Sequence, residues 1–189
     1  MAPSQAFRSD SPETTRALAE RLGLAVEGVP RGGLVVLLRG DLGAGKTVFA
    51  SGFARGLGVP AATPVPSPTF TVARAYRGRA PLFHLDAYHL HGPSELEAAG
   101  FEEMGGDGRV TVVEWGDRIV EALPADRLEA TLTPLADPLS PTREGTNRGI
   151  EIAALGPRAR AIFERFLASV RSDPRFHACR SEPTVGGRP

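Results

Sequence analysis

The sequence predicts an α/β fold in three layers, a central mixed β-sheet flanked by helices. Three adjoining segments predict it. Leu34 to Leu38 is an unbroken apolar run with the length of a strand covered on both faces. Gly40-Asp41-Leu42-Gly43-Ala44-Gly45-Lys46-Thr47 follows it and fits G-x-x-x-x-G-K-[ST], the phosphate-binding loop. Phe49, Phe53 and Leu57 then recur at helical spacing, and Gly58 can stop that helix. Strand, glycine turn and helix in this order form a nest of backbone N–H groups at a helix N-terminus, where the dipole favours an anion. That makes the fold class P-loop NTPase-like.

Lys46 is the chain's only lysine; every other residue among its 22 Lys and Arg is arginine. A position that keeps lysine under such a preference needs an ammonium. A compact point charge fits among phosphate oxygens where the planar guanidinium fork does not.

The chain of 189 residues is one domain's worth and can bury a substantial core. Its boundaries are expected at 1–10 for an N-terminal extension, 11–172 for a P-loop ATPase domain, and 173–189 for a disordered C-terminal tail. One cysteine, Cys179, excludes an intramolecular disulfide and a cysteine-built zinc cluster, and a reducing cytosol suits it. The N-terminus lacks a signal-peptide pattern, and no apolar run approaches the ~20 residues of a membrane span. The expectation is therefore a cytoplasmic protein with no membrane. The formal net charge is +0, which argues against a surface built mainly to grip DNA or RNA.

The elements follow in order. Ser11-Pro12-Glu13 reads as an N-cap, a proline at the first helical position and an acidic first turn, with Leu18 and Leu22 on an apolar face to about Gly23. After the loop helix, Pro60 to Pro68 cannot be regular. Phe70–Tyr76 and Pro81–Tyr88 read as strands of a hairpin around Arg77-Gly78-Arg79. Pro93–Ala99 reads as a short helix, Val110–Val113 as a second buried strand, and Arg127–Thr133 and Gly149–Ala154 as late strands. Pro134–Arg148 is a polar loop. Ile162, Phe163, Phe166, Leu167 and Val170 form the stripe of a last helix, which Asp173-Pro174 ends.

The loop needs an acid to complete a Mg²⁺ site with the Thr47 hydroxyl, and Glu114 stands at the end of Val110–Val113, where a Walker B acid belongs. No second acid follows it, only Trp115, so intrinsic turnover should be slow. Alternation puts His84, Asp86 and Tyr88 on one strand face, either to orient a water or a loop or as a solvated face. His89 and His91 have no accompanying ligand set for a metal. Ser67-Pro68-Thr69-Phe70 occupies a position where a switch threonine can reach Mg²⁺; a proline turn feeding a strand is the plainer reading. The guanine motif N-K-x-D cannot exist without a second lysine, which favours adenine.

Together these residues resemble the TsaE family, the bacterial ATPase of the tRNA threonylcarbamoyladenosine pathway. The resemblance is carried by Gly40 to Thr47, Ser67-Pro68-Thr69-Phe70, His84-Leu85-Asp86-Ala87-Tyr88, Glu95-Leu96-Glu97 and Val113-Glu114-Trp115, in this order and spacing, and covers Ser11 to Leu123. It implies ATP and Mg²⁺ as cofactors. It implies TsaB- and TsaD-like proteins as partners, tRNA indirectly through their complex, and ATP hydrolysis that resets that assembly. It implies nucleotide contacts from Asp41, Gly43, Ala44, Gly45, Lys46, Thr47, Val48 and Trp115, Mg²⁺ ligation by Thr47 and Glu114, and catalytic roles for Thr69, Asp86 and Glu114. The family usually has a second threonine after Thr47 and an arginine after the tyrosine; this chain has Val48 and His89.

Two other readings use the same loop. A small-molecule kinase would use Asp86 as the base on an acceptor hydroxyl, although no Arg-rich lid segment accompanies the site. A nucleotide-gated binding module would need little hydrolysis.

Overall fold

The computed structural model describes residues 2–28, 32–90, 92–135 and 147–176. Seven strands form one sheet: β1 Ser4–Ser9, β2 Leu34–Arg39, β3 Ala73–Arg77, β4 Pro81–Asp86, β5 Val110–Glu114, β6 Arg127–Pro134 and β7 Arg148–Leu155. Their order is β1-β7-β6-β2-β5-β4-β3. β6, β2, β5 and β4 run parallel, and antiparallel β3 and β7 extend the sheet on either side, with β1 antiparallel beyond β7. The sheet is mixed, as expected, and β2 at its centre is buried over Leu34–Leu38.

Helices α1 Pro12–Leu24, α2 Lys46–Gly56 and α5 Pro157–Val170 cover one face. Leu34, Val36 and Leu38 of β2 meet Phe49, Phe53, Leu18, Phe163 and Phe166 there. On the other face Val35, Leu37, Leu85 and Val113 meet Leu96 of α3 (Pro93–Ala98), Phe101 and Met104 of the single turn α4 (Phe101–Met104), and Ile119 of a 3₁₀ segment, Gly116–Ala122. The three layers follow from period-2 alternation along buried parallel strands. α1 begins as its sequence says: the Ser11 hydroxyl accepts from the Thr14 N–H at 3.1 Å, with Pro12 at the first turn.

Two boundaries need correction. Residues 4–9 are not an extension outside the domain. They form β1, pair with β7, and bury Phe7 against Phe166 at 5.6 Å between ring centroids. The pattern is too short and too weakly apolar to announce a strand; the open edge of β7 supplies its hydrogen bonds. Nor does the domain stop at 172. Phe176 joins the same core, and Arg21 reaches Asp173. The expected tail beyond Phe176, and nearly all of the expected loop 134–148, lie outside the described residues.

The hairpin strands are also shorter than expected. Val72 takes φ 62°, and Pro68 to Thr71 is a turn, so β3 starts at Ala73. β4 stops at Asp86 because its Oδ1 accepts from the Tyr88 N–H at 2.9 Å and turns the chain.

Candidate functional site

The glycine loop joins the C-terminal end of β2 to α2. Gly45 caps α2 in the left-handed region, at φ 101°. The first N–H to enter the helical ladder is that of Phe49, bonded to the Gly45 carbonyl at 2.9 Å. The N–H groups of Lys46, Thr47 and Val48 therefore stay outside the ladder. α2 has no acid in its first turn and no side-chain cap, which leaves its positive end to whatever anion approaches.

Lys46 folds back over the loop. Its Nζ donates to the Gly40 carbonyl at 2.7 Å and the Asp41 carbonyl at 2.9 Å, and lies 3.5 Å from the Trp115 ring centroid. It is 5% exposed. Burial pushes its ammonium below the ordinary lysine range, opposed by Glu114, Asp86, Asp117 and Asp41.

β5 runs parallel to both β2 and β4, which brings its last residue beside the start of α2 and the end of β4. Glu114 Oε2 accepts from the Thr47 hydroxyl at 3.2 Å, and Glu114 Oε1 takes the His84 Nε2 at 2.8 Å. Asp86 Oδ2 accepts from Thr69 at 2.5 Å and from Ser67 at 2.9 Å. A cleft of about 380 Å³ is lined by Gly43, Gly45, Lys46, Thr47, Val48, Thr69, Asp86, Glu114 and Trp115, with Leu42 and Ser67. Of the expected residues only Asp41 and Ala44 stay out of its lining. They serve the loop's own backbone, the Ala44 N–H bonding the Asp41 carbonyl at 3.1 Å.

His84 and Asp86 share a face, as alternation requires, and the face is not solvated: both are buried. Tyr88 lies beyond β4 and packs edge-on to Trp115 at 5.1 Å between centroids. Asp86 has both oxygens engaged within the chain, Oδ2 by Ser67 and Thr69 and Oδ1 by the Tyr88 N–H. His89 has no metal partners, and His91 lies outside the described residues. Among the described residues no three His, Cys, Asp or Glu cluster around a common point. The hydroxyl of Thr47 and the carboxylate of Glu114 are hard oxygen donors of the kind Mg²⁺ takes when one or two protein oxygens complete its shell beside phosphates and water.

Sequence reasoning missed Arg148. It starts β7 on the same face as Ile150, Ile152 and Ala154 and donates through Nη1 to the Ala44 carbonyl at 3.1 Å. An arginine in phase with an apolar strand face was the available signal. A Cβ at position 45 would collide with that guanidinium, so Gly45 serves both the left-handed turn and the approach of Arg148. Of the two non-glycine residues with positive φ among the described residues, Trp115 lines this site, and Val72 meets it only through its carbonyl, which accepts from the Asp86 N–H at 2.9 Å.

The mixed sheet and its flanking helices define a three-layer α/β domain, with the glycine loop and the strand-end acid at one end of its parallel strands. A family model described as threonylcarbamoyl adenosine biosynthesis protein TsaE matches residues 9–142. The tRNA threonylcarbamoyladenosine biosynthesis protein TsaE of Bacillus subtilis (strain 168) is 36% identical over 159 residues, 84% of this chain and 90% of its own length. That of Streptomyces coelicolor is 44% identical over 111 residues, 57% of this chain and 73% of its own. The crystal structure of Bacillus subtilis YdiB matches with a TM-score of 0.69 and 34% identity, covering 89% of this chain and 97% of that one. This chain belongs to the TsaE family, and its place is in tRNA threonylcarbamoyladenosine biosynthesis. Among the described residues no helix is long and apolar enough to cross a membrane.

Proposed function

We propose that the protein is a Mg²⁺-dependent ATPase that binds the TsaB–TsaD transferase assembly and resets it between turnovers by ATP binding and hydrolysis. The observation that carries this reading is the meeting of three elements at one point: the sole lysine in the glycine loop, the Thr47 hydroxyl, and the Glu114 carboxylate 3.2 Å from it. Lys46 would exchange its two carbonyls for the β- and γ-phosphates, and the N–H groups of Lys46, Thr47 and Val48, which stay outside the helical ladder, would cradle the chain of phosphates. Thr47 and Glu114 would hold Mg²⁺, and the ion would supply positive charge to the phosphate oxygens. Two buried carboxylates, Asp86 and Glu114, share the cleft with the Lys46 ammonium, which supports a cation arriving with the nucleotide.

Asp86 restrains Thr69 through a hydrogen bond. Release of Thr69 toward the phosphates would change the shape of the segment that carries Phe70, which is 99% exposed. Such a change is what a partner can sense, and Trp115 borders the nucleotide. No second acid follows Glu114 to polarise a water, so turnover by the chain alone falls well below the enzyme median of about 10 per second. TsaB and TsaD raise it.

The test is ATP turnover by the protein alone, with TsaB and TsaD, and with candidate acceptor alcohols, each with and without EDTA. Slow, EDTA-sensitive turnover stimulated by the two partners is expected. Phosphate transfer to an acceptor would return the kinase reading, and fast turnover by the isolated chain would refute the proposal.

A further inference from the structure

We infer that His84 is a positioning residue for Glu114: its imidazole holds one carboxylate oxygen so that the other alone faces Thr47 and the cation. The inference rests on the proposed reading of Thr47 and Glu114 as the oxygen donors for Mg²⁺.

Parallel pairing of β4 with β5 sets His84 opposite Val112 and Asp86 opposite Glu114. From one step back along the same face, the His84 ring reaches Glu114 Oε1 at 2.8 Å. Thr47 occupies Oε2 at 3.2 Å. The two oxygens are thus divided between two partners. One proton lies between the ring nitrogen and Oε1 and ties that oxygen to the imidazole, whichever of the two groups carries it. The terminal torsion of a glutamate is broad, and an unheld carboxylate would present either oxygen. His84 is 1% exposed and Glu114 3%, so water does not supply the restraint.

The other nitrogen gives a second, independent observation. His84 Nδ1 is buried with no hydrogen-bond partner. A position serving the core alone would hold an aliphatic side chain, as Leu82 and Leu85 do on the same strand. An imidazole there leaves a polar atom unsatisfied, at a cost in stability. The contact with Glu114 is what the histidine gains in exchange. Partners that stand behind a metal-binding side chain set its orientation in this way.

The experiment titrates Mg²⁺ into the full chain with ADP, followed by the fluorescence of Trp115, the only tryptophan. ADP affinity in EDTA and melting temperature are recorded beside it. The variants are Glu114→Gln, His84→Asn, whose amide is too short to reach Glu114, and His84→Gln, whose amide nitrogen lies near the place of Nε2. Mg²⁺ affinity should fall about 10- to 100-fold in His84→Asn, and at least as far in Glu114→Gln. His84→Gln should recover most of it, and ADP affinity in EDTA should stay at the parental level in the two His84 variants. Parental Mg²⁺ affinity in His84→Asn beside a loss in Glu114→Gln would overturn the inference and leave the reading of Glu114 standing. Parental affinity in Glu114→Gln, or no ADP binding by the parent, would remove that reading and the inference with it. If His84→Asn does not fold, His84→Leu, which fills the space and donates nothing, takes its place: a fall in Mg²⁺ affinity that His84→Gln recovers supports the inference, and parental affinity overturns it.

Discussion

The Nζ of Lys46, the one lysine, lies 3.5 Å from the ring centroid of Trp115, the one tryptophan. A cation over an indole face is worth about 0.5–2 kcal/mol, depending on how dry it is. Together with the carbonyls of Gly40 and Asp41, that contact keeps a buried ammonium satisfied. Lys46→Ala should lose about 2–5 kcal/mol of ATP affinity, since the phosphates lose their main side-chain counter-charge. Lys46→Arg should fail as well, because the fork does not fit the same space. Calorimetry checks both, and unchanged affinity would remove the P-loop reading.

Glu114→Gln keeps shape and removes charge. Nucleotide affinity should largely survive, while Mg²⁺-dependent hydrolysis should fall severely. Parental hydrolysis in this variant would mean that Glu114 is not the acid at the metal.

Asp86 ties down the segment before β3 through Ser67 and Thr69. Asp86→Ala should loosen it, and Phe70, already fully exposed, should become a faster chymotrypsin site. Hydrolysis should fall in the same variant. A parental digestion rate would show that Asp86 does not hold the segment.

Asp126 caps α5 from outside the helix. Its oxygens accept from the Ala159 N–H at 2.9 Å and from the Arg158 N–H and Nε at 3.1 and 3.0 Å. Burial works to raise its carboxyl, but these bonds outweigh that and hold it below the usual range. Such a group stabilises fully above its unfolded value, about 3.9, and loses that contribution as the pH falls through its folded value. Asp126→Asn should cost about 1 kcal/mol near neutral pH, and the gap to the parent should narrow as the pH drops below that unfolded value. Denaturant melts across this range would show it, and a constant gap would argue against the charge as the cause.

Phe176 belongs to the core although it follows the Asp173-Pro174 stop. Phe176→Ala should cost about 1.5–3 kcal/mol of stability. An unchanged melting temperature would restore the domain boundary expected from the sequence.

The sequence determined what depends on neighbours along the chain. β2, the loop and α2 are contiguous, so apolar run, glycine spacing and helical period suffice to read them. Glu114 was legible because a buried strand has an end, and His84 and Asp86 because a strand alternates. Tertiary structure decided what depends on register between distant strands. Only the parallel pairing of β4 with β5 sets His84 against Glu114, and only the return of β7 brings Arg148 to the Ala44 carbonyl. β1 and Phe176 joined the domain for the same reason: a sheet edge and a core gap recruit short segments whose own patterns are too weak to announce them.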